Sequence, residues 1–262
     1  MLLFKKILTF SKEAVATSDK RQAERYPVGQ TFPFKPVLTL IGHDGEGNAL
    51  PESGKSQDWA GRLSNISATG ASIQIHSAAV GARGEPCVFK LSLDGYLLEI
   101  PGTIAFFRFY PQYALCGFSF NFHDFEIQKA YLQILEPVTL GASLAAVDPK
   151  KIKQDIEGLT KEQYVGDKAA RLTVWRDTAG GINSFEFRMN DYCVRWAQGM
   201  TEVQTGAFDP KAAGKKGGLA MSGLTPVQKE EVHWLFCLAV PNLAKAVPMD
   251  VRKFLGQMVA VK

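Results

Sequence analysis

Two short groups of polar residues have the types and spacing that binding chemistry needs. The first is Arg21-Gln22-Ala23-Glu24-Arg25, and the second is Asn65-Ile66-Ser67-Ala68-Thr69-Gly70. A guanidinium is a planar cation whose N–H fork makes paired hydrogen bonds to oxyanions or to a base edge, and its face stacks on flat rings. An amide and a hydroxyl supply further donors and acceptors, and a glycine lets a ligand come close to the backbone.

Each group alone has an ordinary structural explanation. On a helix, two arginines four residues apart share one solvated face. Asn, Ser and Gly are the residues that turns use in any protein. The functional interpretation therefore depends on the order of the two groups and on the elements that position them.

Those elements are predicted to be strands. Residues 34–122 form short alternating segments separated by Gly, Pro, Asn and Asp, a pattern typical of an antiparallel sheet or barrel. The first arginine group precedes this region, and the Asn65 group falls in a turn within it. Asp124 then predicts the N-cap of a helix that ends before Pro137 and covers one open end or face of the barrel. We expect strands at 35–41, 57–64, 70–75, 85–93, 96–108 and 113–121.

Together and in this order, the two groups resemble the signature of the PilZ domain family. That signature is Arg-x-x-x-Arg ahead of the first strand and Asp or Asn-x-Ser-x-x-Gly within a small β-barrel. The resemblance spans residues 20–136 and includes the Gly117-Phe118-Ser119-Phe120 stretch near the end of the barrel. It implies a cytoplasmic bacterial receptor for the second messenger cyclic di-GMP.

The resemblance assigns the arginine group to a flap over the ligand. Cyclic di-GMP carries two phosphates and two guanines, and Arg21 and Arg25 would hold the phosphates and the guanine O6 and N7 acceptors. Lys20 would add a phosphate contact, although a solvated charge is the simpler explanation for it. We expect residues 19–30 to be mobile without ligand. Binding would then re-dock this flap and change a surface presented to a protein partner or to the second domain.

The second group would complete the ligand site from the barrel. Asn65 would accept from the N1 or N2 hydrogens of guanine, and the Ser67 hydroxyl would serve a base or a phosphate. Many family members have Asp where this chain has Asn65, which lacks the charge. Gly70 fits a position where a side chain would obstruct the ligand or where a positive φ is needed, and a plain turn glycine is an equally good explanation.

The whole chain is predicted to be an α+β protein with four parts. Residues 1–19 form an amphipathic helix or ordered tail, 20–136 the PilZ-like barrel and its closing helix, and 137–170 a helical linker. Residues 171–262 form a second α+β domain, a β-meander of at least three strands followed by helices, with a mobile loop at 209–223. We recognise no family in this second domain.

Composition limits the remaining functions. Thirty Lys and Arg against 26 Asp and Glu give a net charge of +4, too small for a general nucleic-acid binder. The four cysteines lack the spacing of a zinc or redox motif and are predicted to be buried reduced thiols, which points to the cytoplasm. We expect no cofactor, no metal and no transmembrane segment. No nucleophile elbow, dinucleotide fingerprint or carboxylate pair indicates an enzyme.

Two other functions compete with the receptor. One is an interaction scaffold whose barrel does not bind a ligand, and the other is a barrel that binds single-stranded nucleic acid on aromatic platforms. The second domain also offers a choice between a basic-aromatic recognition face and ordinary sheet packing with exposed arginines, which we favour. The residues concerned are Trp175, Arg176, Arg188, Arg195 and Trp196.

Overall fold

The computed structural model describes residues 2–8, 23–41, 48, 57–208 and 221–260. The chain divides into two compact units, Met1–Leu135 and Glu136–Lys262. Each unit contains a seven-stranded antiparallel sheet. The predicted α+β class, a barrel with a helix followed by a second sheet with C-terminal helices, is confirmed.

The first sheet closes into a barrel of six strands with one short added strand. Its order is β1-β3-β2-β5-β6-β7-β4, and a further β3–β4 pairing closes the ring, so that β1 is the added strand at the edge of β3. All six predicted strands are present. The bounds are β1 (Tyr26–Pro27), β2 (Lys35–Leu40), β3 (Gln57–Ser67), β4 (Gly70–His76), β5 (Pro86–Leu93), β6 (Tyr96–Phe109) and β7 (Tyr113–Phe120).

Alternation of apolar and polar residues explains the barrel core. Inward-facing side chains such as Leu38, Phe89 and Ile100 are fully buried, and the rings of Phe89 and Phe118 lie 4.9 Å apart across the interior. Because side chains in a strand alternate between faces, the intervening residues point outward. The outer face is therefore available to carry a binding site.

The helix after the barrel is longer than predicted. Helix α1 (Phe125–Ala142) begins at Asp124, whose carboxylate accepts from the backbone N–H of Glu126 at 2.8 Å. It continues past Pro137, so the prediction that it ends there is wrong. An internal proline costs about 3 kcal/mol. Val138 and Leu140 are fully buried, and burial of two such side chains, at about 1.5–3 kcal/mol each, offsets that cost.

The N-terminal segment is ordered by a side chain of this helix. Residues 2–8 form no helix, and Phe4 and Leu8 are buried. Residues 9–19 of the predicted N-terminal helix or tail lie outside the described residues. The fully buried Gln133 accepts from the Phe4 N–H at 3.2 Å and donates to the carbonyls of Phe4 and Leu8 at 2.7 and 2.9 Å. One amide thus satisfies three backbone groups of an irregular segment.

Replacing Gln133 with leucine is expected to release this segment. Leucine fills a similar volume but cannot satisfy the three backbone groups, so they would return to water and the variant would lose about 2 kcal/mol of stability. Hydrogen exchange should become fast in residues 2–8 and stay unchanged in the second sheet. A matched substitution at the half-buried Gln128 of the same helix should not change exchange in residues 2–8. Slow exchange of residues 2–8 in Gln133→Leu would contradict the assignment.

The second sheet is a simple meander, and it begins earlier than predicted. Its order follows the chain from β8 to β14. Residues 160–165, which we predicted to lie in a helical linker, form strand β9 and pair along their whole length with β10. The physical reason is burial of Tyr164, which places this segment in the sheet. The strands are β8 (Ala145–Ala146), β9 (Thr160–Val165), β10 (Arg171–Arg176), β11 (Ile182–Met189), β12 (Tyr192–Ala197), β13 (Gln204–Phe208) and β14 (Met221–Ser222).

Two helices end the second unit, as predicted. Helix α2 (Pro226–Ala239) starts with a capping box in which the Thr225 hydroxyl accepts from the Gln228 N–H and the Gln228 side chain accepts from the Thr225 N–H. Helix α3 (Met249–Ala260) follows. Short 3-10 helices occur at Pro149–Lys151 and Val240–Asn242. Most of the predicted loop at 209–223 lies outside the described residues.

The cysteines behave as predicted. All four are buried and unpaired. Burial raises the pKa of the Cys87 and Cys193 thiols to about 12, so they stay protonated at neutral pH. Within the described ranges, no His, Cys, Asp and Glu side chains are grouped to hold a metal ion. None of the helices in that part of the chain has both the length and the apolar character needed to cross a bilayer.

Candidate functional site

Strand β1 brings the end of the arginine group to the Asn65 group. Tyr26 pairs with Ile66 and Pro27 pairs with Asn65, and the Val28 N–H donates to the Ser64 carbonyl at 3.1 Å. Arg25 directly precedes this pairing and is exposed. Since antiparallel register advances residue by residue, Arg25 lies at the level of Ser67. Arg21 and Lys20 lie outside the described residues.

A β-bulge in β3 sets the direction of Asn65. Leu63 pairs with Ile73 on β4 and Asn65 pairs with Ser72, so that Ser64 is an extra residue on β3. Ile73 is fully buried, which places Leu63 on the inner face and Asn65 on the outer face. Asn65 is half-buried, and its side chain forms no hydrogen bond with the described part of the chain. Its amide is therefore available to a ligand.

Ser67 shapes the turn rather than presenting a free hydroxyl. It is 4% exposed, donates to the Gly70 carbonyl at 3.0 Å and accepts from the Thr69 N–H at 3.4 Å. Its own carbonyl accepts from the Tyr131 hydroxyl at 2.7 Å. Burial raises the pKa of the Tyr131 phenol far above its ordinary value, so this hydroxyl remains a donor. Ser67 can offer a ligand only an acceptor lone pair unless the turn rearranges.

Gly70 is required for a reason that the sequence did not reveal. Glycines with positive φ occur elsewhere in the described chain, and Gly70 is not one of them. A Cβ added at Gly70 would overlap the backbone carbonyl oxygen of Phe118 on the neighbouring strand β7. The glycine thus permits close approach of β4 and β7. Of the explanations that the sequence left open for Gly70, the need for a positive φ does not apply.

The outer face continues from Asn65 across three strands and adds residues that the motifs do not include. Ser72, opposite Asn65, is 2% exposed and its hydroxyl has no hydrogen-bond partner within the described chain. Opposite Ser72 is Gly117, where the Phe106 ring occupies the space of a Cβ. The Arg108 guanidinium lies 5.2 Å from the centre of that ring. Only the strand register places these residues in one row.

A cavity of about 450 Å³ lies between residues 28–30 of the flap, the start of β2 and residues 60–63 of β3. Its volume falls in the range of small-molecule sites, about 300–1,000 Å³. Arg25, Asn65 and Ser67 do not line it, whereas Arg62 does. The lining residues are Val28, Gly29, Gln30, Phe32, Phe34, Lys35, Pro36, Val37, Ala60, Gly61, Arg62, Leu63 and Ser92.

Acidic side chains near this surface are engaged locally. Glu24 accepts from the Tyr26 hydroxyl at 3.0 Å. Asp58 accepts from Thr39 and from the Lys90 ammonium, and these two hydrogen bonds hold the pKa of its carboxyl below the usual value. Arg25, Arg62 and Lys35 are exposed, which gives the flap side of the barrel cationic groups suited to an anionic ligand.

In the second unit, the basic and aromatic residues have structural partners. Arg176 pairs with Glu162 at 2.8 Å and with Asp250 at 2.6 Å. The Trp196 N–H donates to the Met200 carbonyl at 3.0 Å. The others are engaged similarly: Trp175 donates to Asp155, Arg188 stacks on Phe208 at 3.5 Å, and Arg195 donates to Gln204. These contacts favour sheet packing over a recognition face.

Comparison with known proteins finds PilZ domains among solved structures. No family model matches the chain, and no curated protein matches it. The PilZ domain of CeSA from a cellulose-synthesising bacterium is 18% identical over 42% of this chain and 93% of its own, with a TM-score of 0.29. The PilZ domain of YcgR from Escherichia coli with c-di-GMP is 10% identical over 42% of this chain and 85% of its own, with a TM-score of 0.31.

A third solved structure is similar over more of the chain. It is the Borreliella burgdorferi PlzA protein in complex with c-di-GMP, 11% identical over 81% of this chain and 93% of its own, with a TM-score of 0.31. The first unit of the present chain is a closed six-stranded antiparallel barrel followed by a helix, which is the architecture that the sequence predicted.

Proposed function

We propose that this chain is a receptor for cyclic di-GMP that binds the ligand between the arginine flap and the outer face of the barrel. The observation that carries the proposal is the β1–β3 pairing, which brings Arg25 beside the Asn65–Gly70 turn. Arg25 and Asn65 are forty positions apart in the sequence. Their meeting at one surface is what a two-part ligand site requires.

The chemistry of the surface suits the ligand. A cyclic dinucleotide carries two phosphate charges, which the exposed Arg25 and Arg21, four positions earlier in the sequence, would neutralise with charge-assisted hydrogen bonds. The Asn65 amide oxygen would accept from the guanine N1 or N2 hydrogens. Nothing in this arrangement supplies a nucleophile or a general base to the ligand, so the proposed role is binding and not catalysis.

The flap provides a route from binding to output. Among the described residues of the flap, Tyr26 and Pro27 pair with strand β3 of the barrel. Fixing about six flap residues over a ligand would cost on the order of 6–12 kcal/mol of backbone freedom. Ligand contacts must offset that cost, so occupancy and flap position are coupled. A bound flap would present a different surface to a protein partner.

Calorimetric titration of the purified chain with cyclic di-GMP tests this proposal. We expect saturable heat, and little or none with cyclic di-AMP, whose bases lack the guanine O6 acceptor and N1 donor. Saturable, salt-dependent binding to single-stranded oligonucleotides in its place would indicate the nucleic-acid barrel. No heat with any nucleotide would indicate a scaffold and contradict the receptor.

Asn65 gives a smaller but specific test. Asn65→Ala should weaken cyclic di-GMP binding about tenfold, since one hydrogen bond to a base contributes about 0.5–1.5 kcal/mol. Asn65→Asp should bind at least as well as the natural protein, because a carboxylate is the stronger acceptor. Neither variant should shift the melting temperature. Asn183→Ala, a similarly half-buried position in the second sheet, is the matched control, and equal affinity in both alanine variants would contradict the role of Asn65.

A further inference from the structure

The cavity beside the flap occupies a gap in the pairing of strand β3. Strand β2 pairs with β3 up to Val37 opposite Ala60, and β1 takes over at Pro27 opposite Asn65. Between these points, the Val28 N–H donates to the Ser64 carbonyl on that edge of β3. The cavity of about 450 Å³ lies along the unpaired segment. A strand edge that is not paired presents backbone N–H and C=O groups, and these groups can hydrogen-bond to a base of a ligand in the cavity.

The lining of the cavity suits a flat, electron-rich group. Phe32 and Phe34 supply aromatic surface, with ring centres 5.8 Å apart. Arg62 and Lys35 supply positive charge, and no carboxylate lines the cavity within the described residues. A base with an acceptor edge would find apolar walls and an arginine fork in one place.

The bulge at Ser64 aligns this cavity with the Asn65 site. Residues three apart on a regular strand point to opposite faces. Because Ser64 is an extra residue, Arg62 opposite Gln74 and Asn65 opposite Ser72 both lie on the outer face. Along the strand they are separated by less than about 10 Å. One ligand with two similar halves can therefore reach both residues.

We propose that this cavity is the subsite for the second guanine of cyclic di-GMP, with Arg62 donating to its O6 and N7 acceptors. This inference rests on the proposed function and adds to it a residue outside both motifs. Arginine paired to guanine O6 and N7 is a strongly discriminating contact. Arg62 therefore determines the preference for guanine at the second position, whereas Asn65 acts on the first.

Two ligands and one variant test the subsite. Affinities for cyclic di-GMP and for cyclic GMP-AMP are measured by calorimetry with the natural protein and with Arg62→Ala. The natural protein should prefer cyclic di-GMP about tenfold or more. In Arg62→Ala the affinities for the two ligands should be about equal, because guanine in the cavity then no longer gains the hydrogen bonds from Arg62 that adenine lacks. Arg83→Ala, an exposed arginine on the loop between β4 and β5, should keep the full preference.

The outcomes separate the subsite from the receptor. An equal loss of affinity for both ligands in Arg62→Ala would show that Arg62 contacts a phosphate. Unchanged affinity would show that Arg62 does not contact the ligand. Either result would contradict the proposed subsite without contradicting the proposed receptor. If the natural protein binds neither ligand, both proposals fall. Near-UV circular dichroism of Arg62→Ala should match the natural protein, since the side chain is exposed.

Discussion

Replacing Arg25 with alanine should weaken cyclic di-GMP binding about 100-fold or more and leave the melting temperature unchanged. The guanidinium is exposed and directly precedes the β1–β3 pairing, so the barrel does not need it. Binding of a phosphate or a guanine edge does require the Arg25 guanidinium, because each charge-assisted hydrogen bond contributes about 1.5–3 kcal/mol and the guanidinium forms two. The measurement is calorimetry beside thermal unfolding of the same sample.

Two further variants make this result specific. Arg25→Lys keeps the charge but loses the fork, so most of the affinity should still be lost. Arg171→Ala removes an exposed arginine from the second sheet and should bind like the natural protein. The PilZ resemblance predicts the same loss for Arg21→Ala. If Arg25→Ala keeps the affinity of the natural protein, the flap is not part of the binding site.

Replacing Gly70 with alanine should destabilise the barrel by about 3 kcal/mol. The new Cβ would overlap the Phe118 carbonyl oxygen, which is part of the β4–β7 backbone and has no rotamer by which to move away. Such overpacking must separate two strands of a closed barrel. The same separation would distort the turn that carries Ser67, so ligand affinity should fall as well.

Hydrogen exchange locates this effect. Amides of β4 and β7 should exchange faster in Gly70→Ala, while those of β10 and β11 should be unchanged and serve as an internal reference. Gly256→Ala is the matched control, because nothing lies within 4 Å of a Cβ there and the residue is inside α3. That change should stabilise by about 0.5–1 kcal/mol. If Gly70→Ala is as stable as the natural protein, β4 and β7 are not packed closely enough for a Cβ at this position to overlap the Phe118 carbonyl.

The strands and caps could be predicted because their signals are local. Alternation along β2 to β7 follows from the pleat, and Asp124 and Thr225 act on N–H groups two or three residues away. The continuation of the helix through Pro137 and the strand at Thr160–Val165 could not be predicted from the sequence. In both, burial outweighed the local pattern, which was a helix-ending proline in the first and a helical linker in the second.

The candidate site likewise has features that the sequence predicts and features that it does not. Its two motifs are visible in the sequence, yet the functions of Ser67 and Gly70 within the turn depend on contacts with Tyr131 and Phe118, which are distant along the chain. The row through Ser72, Gly117 and Phe106 is set by register between strands. No spacing along the chain encodes that register.

Residue types and their order determined which chemical groups this protein possesses: arginine forks, an amide acceptor, a tight turn, and enough alternating apolar residues to build a barrel around them. Tertiary structure decided which of those groups share a surface. Pairing of the added strand β1 with the edge of β3 brings the arginine group to the barrel, and one extra residue at Ser64 turns Arg62 and Asn65 to the same side. Long-range strand pairing depends on the free energy of the whole sheet, so a short stretch of sequence cannot specify it.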